Sequence, residues 1–285
     1  MESLADVERA VRSSRPDVVF NACETLDGRS EDEPLVPLLL DRLRVPYTGS
    51  PARCLRRCLR KAEASAILAA AGVPIPATFT GAPPPSAYPV IVKPEREDGS
   101  VGIHAGSVVH DEASLRRAID ALEANDQPAI VQRYVEGREI AVAFLGWPEP
   151  RVLPPGEILY DEDVFAGRAR ILTYASKWDE GSIDYGATRS VAAALEPALL
   201  ARLSGFARRA AHALGMRDYG RVDFRVDAQG HAFVIDVNPN CDLSRDGGFM
   251  RAARRAGLGY EDATSLILSG ALARAGGSAV RRAAG

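Results

Sequence analysis

Across residues 220–240 the side chains alternate polar with apolar on both sides of a turn, the clearest periodicity in the chain. Two strands, Gly220–Val226 and His231–Asn240, flank Asp227-Ala228-Gln229-Gly230. With the turn centred on Gln229-Gly230, one face carries Val222, Phe224 and Val226 with Phe233, Ile235 and Val237. The opposite face sets Asp223 across from Asp236 and Arg221 across from Asn238. Apolar residues recur at helical spacing over 3–14, 35–43, 61–71, 112–124, 197–214, 247–256 and 260–274. Gly72 supplies a stop for the Ala-rich 61–71 run. Buried strands are predicted over 17–22, 88–93, 129–134 and 139–146, with a strand and turn over 46–50. The Pro-rich segment 81–86 reads as a linker. Residues 154–190, rich in Gly and Asp, read as an irregular flap, and the last dozen residues as a frayed tail.

Two of these segments carry chemistry. Opposed carboxylates repel one another unless a cation neutralises them, and an oxygen-only set of Asp223, Asp236 and Asn238 suits Mg²⁺. A solvated acidic hairpin would show the same residues. The strand Tyr88–Pro94 ends in Lys93, followed by Gly99-Ser100-Val101-Gly102. A lysine ending a buried strand needs a partner or a cleft, and the loop beside it offers free backbone N–H groups to an anion. The pair describes a phosphate site, whereas the loop alone would be an ordinary flexible turn. It is not a Walker A loop, since no Gly-x-x-x-x-Gly-Lys-Ser/Thr occurs.

Further pieces accompany these two. They are Val18-Val-Phe-Asn21, Val45-Pro-Tyr-Thr-Gly-Ser50, Gly137-Arg-Glu139, Leu153-Pro with Glu157-Ile, and Tyr174-Ala-Ser-Lys177-Trp178. Together with Pro89–Pro94 and with Arg221-Val-Asp223 and Asp236-Val-Asn238, they stand in the order found in the D-alanine:D-alanine ligases. From about Asp17 to about Leu272 the chain resembles that family of the ATP-grasp superfamily. The resemblance implies a mixed α/β ATP-grasp fold with a shortened N-terminal Rossmann-like lobe. It divides the chain into a partial lobe (1–50), a central ATP-grasp subdomain (51–135), a C-terminal subdomain with the metal site (136–275) and a tail (276–285). Members of the family usually begin with a further glycine-rich strand and helix, bearing a glutamate for the first substrate's ammonium. A misassigned start or the loss of part of that site would each account for its absence here.

The resemblance also implies roles. Lys61 and Lys93 correspond to the two ATP lysines, with Ser100 and neighbouring amides covering the phosphates. Gln132 stands where the adenine amino group is bound, Tyr134 and Val135 at the hinge meeting the adenine edge, and Glu139 at the ribose hydroxyls. Lys177 matches the flap lysine reaching the γ-phosphate, and Arg221 the group that holds the oxyanion. A salt bridge from Arg221 to Asp223 or Asp236 is the structural alternative. Asp223, Asp236 and Asn238 become ligands of Mg²⁺, with Mn²⁺ as a substitute. The implied reaction is ATP-dependent: a carboxylate is phosphorylated and the acyl phosphate is attacked by an amine to form an amide, as in peptidoglycan precursor synthesis. The substrates are amino acids or peptides, and the family admits a homodimer. The rival reading is an ATP-binding regulatory module that has lost catalysis. After Asn238, Cys241-Asp242 and Gly247-Gly248 replace the family's usual Pro-Gly and Ser-Leu pairs, which predicts an acceptor other than D-alanine: larger, and neutral or cationic.

Composition narrows the classes further. The 285 residues are 46% hydrophobic and 26% charged, which leaves room for a large core. A net charge of −3 offers no basic field for nucleic acid. The N-terminus lacks a signal-peptide pattern, and no apolar run is long enough to span a bilayer. Cys23, Cys54, Cys58 and Cys241 form no zinc pattern, and the four thiols fit a reducing cytoplasm. Cys54 and Cys58 share a helix face as packed thiols, and His212 is read as packed or half-exposed.

Overall fold

The computed structural model describes residues 3–283, with side chains to residue 276. Its helices are α1 (Leu4–Ser14), α2 (Leu35–Leu43), α3 (Ala52–Leu59), α4 (Lys61–Ala70), α5 (Glu112–Glu123), α6 (Tyr174–Trp178), α7 (Ile183–Gly186), α8 (Pro197–Leu214), α9 (Gly248–Arg255) and α10 (Tyr260–Ala283). Its strands are β1 (Thr78–Phe79), β2 (Val90–Pro94), β3 (Val108–Val109), β4 (Ala129–Arg133), β5 (Arg138–Leu145), β6 (Arg151–Val152), β7 (Gly156–Tyr160), β8 (Thr188–Ala192), β9 (Tyr219–Val226) and β10 (Ala232–Asn238). They form two antiparallel sheets, β1-β4-β2-β3 and β10-β9-β5-β7-β8, with β6 paired to β5. The short segment 134–137 joins the sheets.

Alternation explains how the larger sheet sits. Ile140, Val142, Phe144, Val222, Phe224 and Val226 point to one face and are buried against Leu203, Ala207, Ala210, Ala211 and Leu214 of α8. The other face is divided. At one end Ala143, Leu145 and Tyr219 pack under Phe249 and Met250 of α9 and Ile267 of α10, while the other end is polar. Sheet one packs Val90, Val92 and Val131 against Leu115 and Leu122 of α5.

The structure departs from the sequence pattern at four places. On β10, Asp236 does pair with Asp223 and Asn238 with Arg221, but a bulge at Ile235 shifts the register beyond it. Val234 therefore opposes Phe224 and Ala232 opposes Val226 in the core, and Phe233 and Ile235 are only half-buried. The expected strand 17–22 shrinks to one parallel bridge, Val19 with Tyr47, because it has a single partner segment, and Phe20 is exposed. The segment 154–190, expected to be irregular, holds β7 and the first residues of its partner β8, short strands that lie close to Pro and Gly and show no long alternation. The tail expected over 276–285 is largely a continuation of α10, with residues 284 and 285 outside the described part.

Candidate active site

The polar end of the larger sheet faces sheet one across a cleft. Lys61, Lys93, Ser100, Gln132, Tyr134, Val135, Glu139, Lys177, Asp223 and Asp236, ten of the residues expected from sequence, line a single pocket there. The other two stand behind that wall. Arg221 grips Asp223 with two hydrogen bonds of 2.7 and 2.8 Å, and Asn238 Nδ2 donates to the same carboxylate at 3.4 Å.

Each lysine arrives on a different element. Lys93 is next to last in β2, buried, and its Nζ donates at 3.2 Å to the carbonyl of Ile235, the bulged residue that has no partner in the ladder. Burial pushes its ammonium down to about 8, against the pull of Asp236. Lys61 opens α4, donates to the Glu97 carbonyl and stands 3.8 Å from Asp98. Lys177 comes from α6, and burial also lowers its pKa, with Arg221 adding to the effect. Burial opposes the charge on Asp236, but Lys61, Lys93, Lys177 and Arg221 outweigh it and hold this carboxyl below its ordinary range. Burial lifts Asp98 to about 6.

The end of the pocket expected to receive adenine is built from sheet one. The buried Gln132 donates through Nε2 to Thr78 at 3.1 Å, leaving its carbonyl oxygen free to accept from an amino group. The Tyr134 N–H is engaged by the Pro89 carbonyl at 3.0 Å, so an edge contact there falls to other atoms of the hinge. Glu139 accepts from Arg225 at 2.7 Å and from the Tyr160 hydroxyl at 2.8 Å, both on Oε2, which leaves Oε1 without a donor among the described residues.

The segment expected to form the lid is fastened to the Gly99–Gly102 loop. The Trp178 indole N–H donates to the Gly99 carbonyl at 2.9 Å, and the Tyr174 N–H to that of Ile103 at 3.1 Å. Gly99, Ser100 and Gly102 all have positive φ, and a Cβ on Gly102 would lie 2.5 Å from the Pro94 ring, so the loop needs glycine there. The sequence reading passed over Asp98 and Arg225. Arg225 shares its strand parity with Arg221 and Asp223, so the alternation could have found it. Asp98 sits directly before Gly99 in a loop read only for its small residues.

A pocket with lysines on three elements, an opposed carboxylate pair and a fastened lid is the geometry the ligase resemblance implies. The family model described as the D-ala D-ala ligase C-terminus matches residues 84–269. The chain belongs to the D-alanine–D-alanine ligase family. It is 32% identical to an uncharacterised protein of Sinorhizobium fredii, over 88% of this chain and 73% of that one. It is 31% identical to a D-alanine–D-alanine ligase of Desulforudis audaxviator, over 90% and 82%. Among solved structures, the D-alanine–D-alanine ligase of Bacillus anthracis superposes with a TM-score of 0.76 at 22% identity, covering 100% of this chain and 87% of that one. The same enzyme complexed with ATP gives a TM-score of 0.73 over 98% and 85%. These likenesses establish the ATP-grasp fold for this ligase family member, and no described helix is long and apolar enough to cross a membrane.

Proposed function

We propose that the protein is a cytoplasmic ligase that uses ATP to join a carboxylate to an amine through an acyl phosphate. The convergence of Lys61, Lys93 and Lys177 on one pocket around Asp236 carries this reading. Phosphoryl transfer needs neutralised charge and in-line positioning rather than a protein nucleophile, and these are what the pocket supplies. Lys61 and Lys93 hold the nucleotide phosphates, with Gln132 on the adenine and the free oxygen of Glu139 on the ribose. Lys177 approaches the transferred phosphoryl group from the lid. Asp223 fixes Arg221 through Nε and Nη2, which leaves Nη1 free to hold the oxyanion that forms when the amine attacks. The ion pair that served as the structural alternative thus orients the catalytic group. The lid, fastened through Trp178 and Tyr174, keeps water from the acyl phosphate.

A divalent cation fits the oxygen set. Asp236 has no hydrogen-bond partner among the described residues, Asn238 offers a side-chain oxygen, and Asp223 keeps lone pairs beyond its bonds to Arg221. Mg²⁺, or Mn²⁺ in its place, would neutralise phosphate charge there. Nothing in the site favours a silent regulatory module. Calorimetry of ATP binding to Lys93→Ala, alongside ADP release with amino acid substrates, tests the assignment. It expects nucleotide affinity to collapse, and affinity equal to that of the unmodified protein would remove Lys93 from the phosphate site.

A further inference from the structure

Helix α9 starts at the catalytic centre and carries arginines away from it. A Cβ on Gly248 would lie 3.4 Å from Arg221 Nη1, so the first turn of α9 borders the group that holds the oxyanion. Residues 248, 251 and 255 follow at i, i+3 and i+7, one face of the helix. Arg255 ends over β7, where a Cβ on Gly156 would meet its Nη2 at 3.0 Å and the Ser190 hydroxyl at 3.6 Å. Ladder pairing sets Asp223 beside Ala141 and Ala141 beside Gly156, so β9 and β7 lie two strands apart, roughly 10 Å. The seven-residue rise from 248 to 255 is about 10 Å as well. The stripe therefore crosses the sheet from Arg221 to β7, over a floor of Ala141, Gly156 and Ser190.

Among the described residues these guanidinium groups have no counter-charge. No carboxylate among the described residues lies within ion-pair distance of Arg251 or Arg255. Arg251 donates to the Asp246 carbonyl, Arg255 reaches the Pro154 carbonyl at 3.5 Å, and the Nε of each is buried without a partner. Burial and the neighbouring Arg251 and Arg254 lower the pKa of Arg255. Half-buried like charges with idle donors destabilise the protein until an anion joins them. Asp242, the basis for expecting a neutral or cationic acceptor, is not that anion. Its carboxylate takes the Ser244 N–H and hydroxyl, each at 2.7 Å, and turns back against Gly247.

We propose that Arg251 and Arg255 bind an oxyanion carried by the amine acceptor, placed beyond its reacting nitrogen by up to the length of the stripe. The acceptor is then an amine with a distal carboxylate or phosphate, an acidic amino acid or phosphoamine rather than D-alanine. The inference rests on the ligase reading, and the test separates the two. Hydroxylamine, a small nucleophile with no anionic group, traps an acyl phosphate as hydroxamate in the unmodified protein with ATP and candidate amino acid donors. ADP release is then measured with D-alanine, amino alcohols, diamines, glutamate and phosphoethanolamine as acceptors, the last two distinguishing carboxylate from phosphate. The expected result is a preference for glutamate or phosphoethanolamine of about tenfold or more in kcat/KM. Arg251→Gln and Arg255→Gln should each raise the KM of that acceptor about tenfold, and Arg255→Lys should recover part of it. Hydroxamate formed with no acidic amine preferred, or KM unmoved in both glutamine variants, overturns the inference and leaves the ligase reading standing. Absence of hydroxamate with every donor overturns the ligase reading itself.

Discussion

Lys93 is a cation that the fold makes costly to keep charged. Its pKa of about 8 lies well below the ordinary 10.5, so between those values the folded protein binds fewer protons than the unfolded chain. Apo stability should accordingly rise with pH across that window. Nucleotide binding should move the other way. One pH unit above about 8 only about a tenth of Lys93 is charged in the free protein, so ATP affinity should fall roughly tenfold between pH 7 and pH 9. Lys93→Arg keeps its charge and should flatten that profile, and an equally steep fall in this variant would shift the titration to another group. Asp236 has the opposite sign. Its pKa is held down by four cations, so its charge stabilises the fold above its ordinary pKa and that contribution is lost as acid protonates it. Repulsion from Asp223 alone would make Asp236→Asn neutral or stabilising in the apo protein. With Lys61, Lys93, Lys177 and Arg221 around it, the variant should unfold at lower temperature and lose turnover, whereas an unchanged or raised Tm would show that the carboxylate repulsion dominates.

At the scale of elements, the hairpin shows what periodicity reveals and where it stops. A turn centred on Gln229-Gly230 predicts the pairing of Asp223 with Asp236, and the alternation gives the face on which they lie. The observed turn instead sets Ala232 opposite Val226, and it is the bulge at Ile235 that brings Asp236 across from Asp223. The bulge at Ile235 leaves no mark in that pattern, because Ile235 extends the apolar run Ala232-Phe233-Val234 by one residue and either register keeps Asp236 and Asn238 on one face. Its consequence is functional, since the carbonyl of the bulged residue receives Lys93. The β7–β8 pair was hidden for another reason: short strands beside a long polar excursion carry too few positions for a period to emerge. The three lysines were legible from family motifs, but unpaired guanidinium groups on α9 can be recognised only when neighbours are known in space. Trp178 belongs to this scale because it fastens α6, the proposed lid helix bearing Lys177, onto the Gly99–Gly102 loop. Trp178→Phe keeps the ring and removes the donor, and should lower kcat/KM about five- to tenfold, the worth of one hydrogen bond. Only two tryptophans are present, so in Trp147→Phe protein the emission of Trp178 should shift on ATP binding. Unchanged emission would mean the lid does not respond to nucleotide.

Over the whole molecule, buried polar clamps hold the N-terminal segment against the end of the larger sheet that packs under α9 and α10. Asp218, buried at the start of β9 with φ of 60°, accepts from Gly49 N–H and from Arg274 of α10, each at 2.8 Å. Arg274 also donates to the Tyr47 carbonyl at 3.0 Å. Asn240 adds a second clamp, donating at 2.7 Å to both the Cys23 carbonyl and Glu33. Burial raises the pKa of Glu33 well above its ordinary value. Asp218→Ala leaves Arg274 without its counter-charge and should cost about 3–5 kcal/mol in chemical denaturation, and a loss below about 1 kcal/mol would show the clamp to be dispensable.

The acyl phosphate is the point on which the functional account depends, and isotope transfer reports it directly. A donor amino acid labelled with ¹⁸O in its carboxylate is incubated with ATP, Mg²⁺ and an acceptor amine, and the released phosphate is analysed by mass. Formation of a carboxyl–phosphoryl bond predicts one ¹⁸O in each phosphate released. Phosphate free of label while ADP accumulates would mean that water attacks the nucleotide, and would contradict the ligase mechanism.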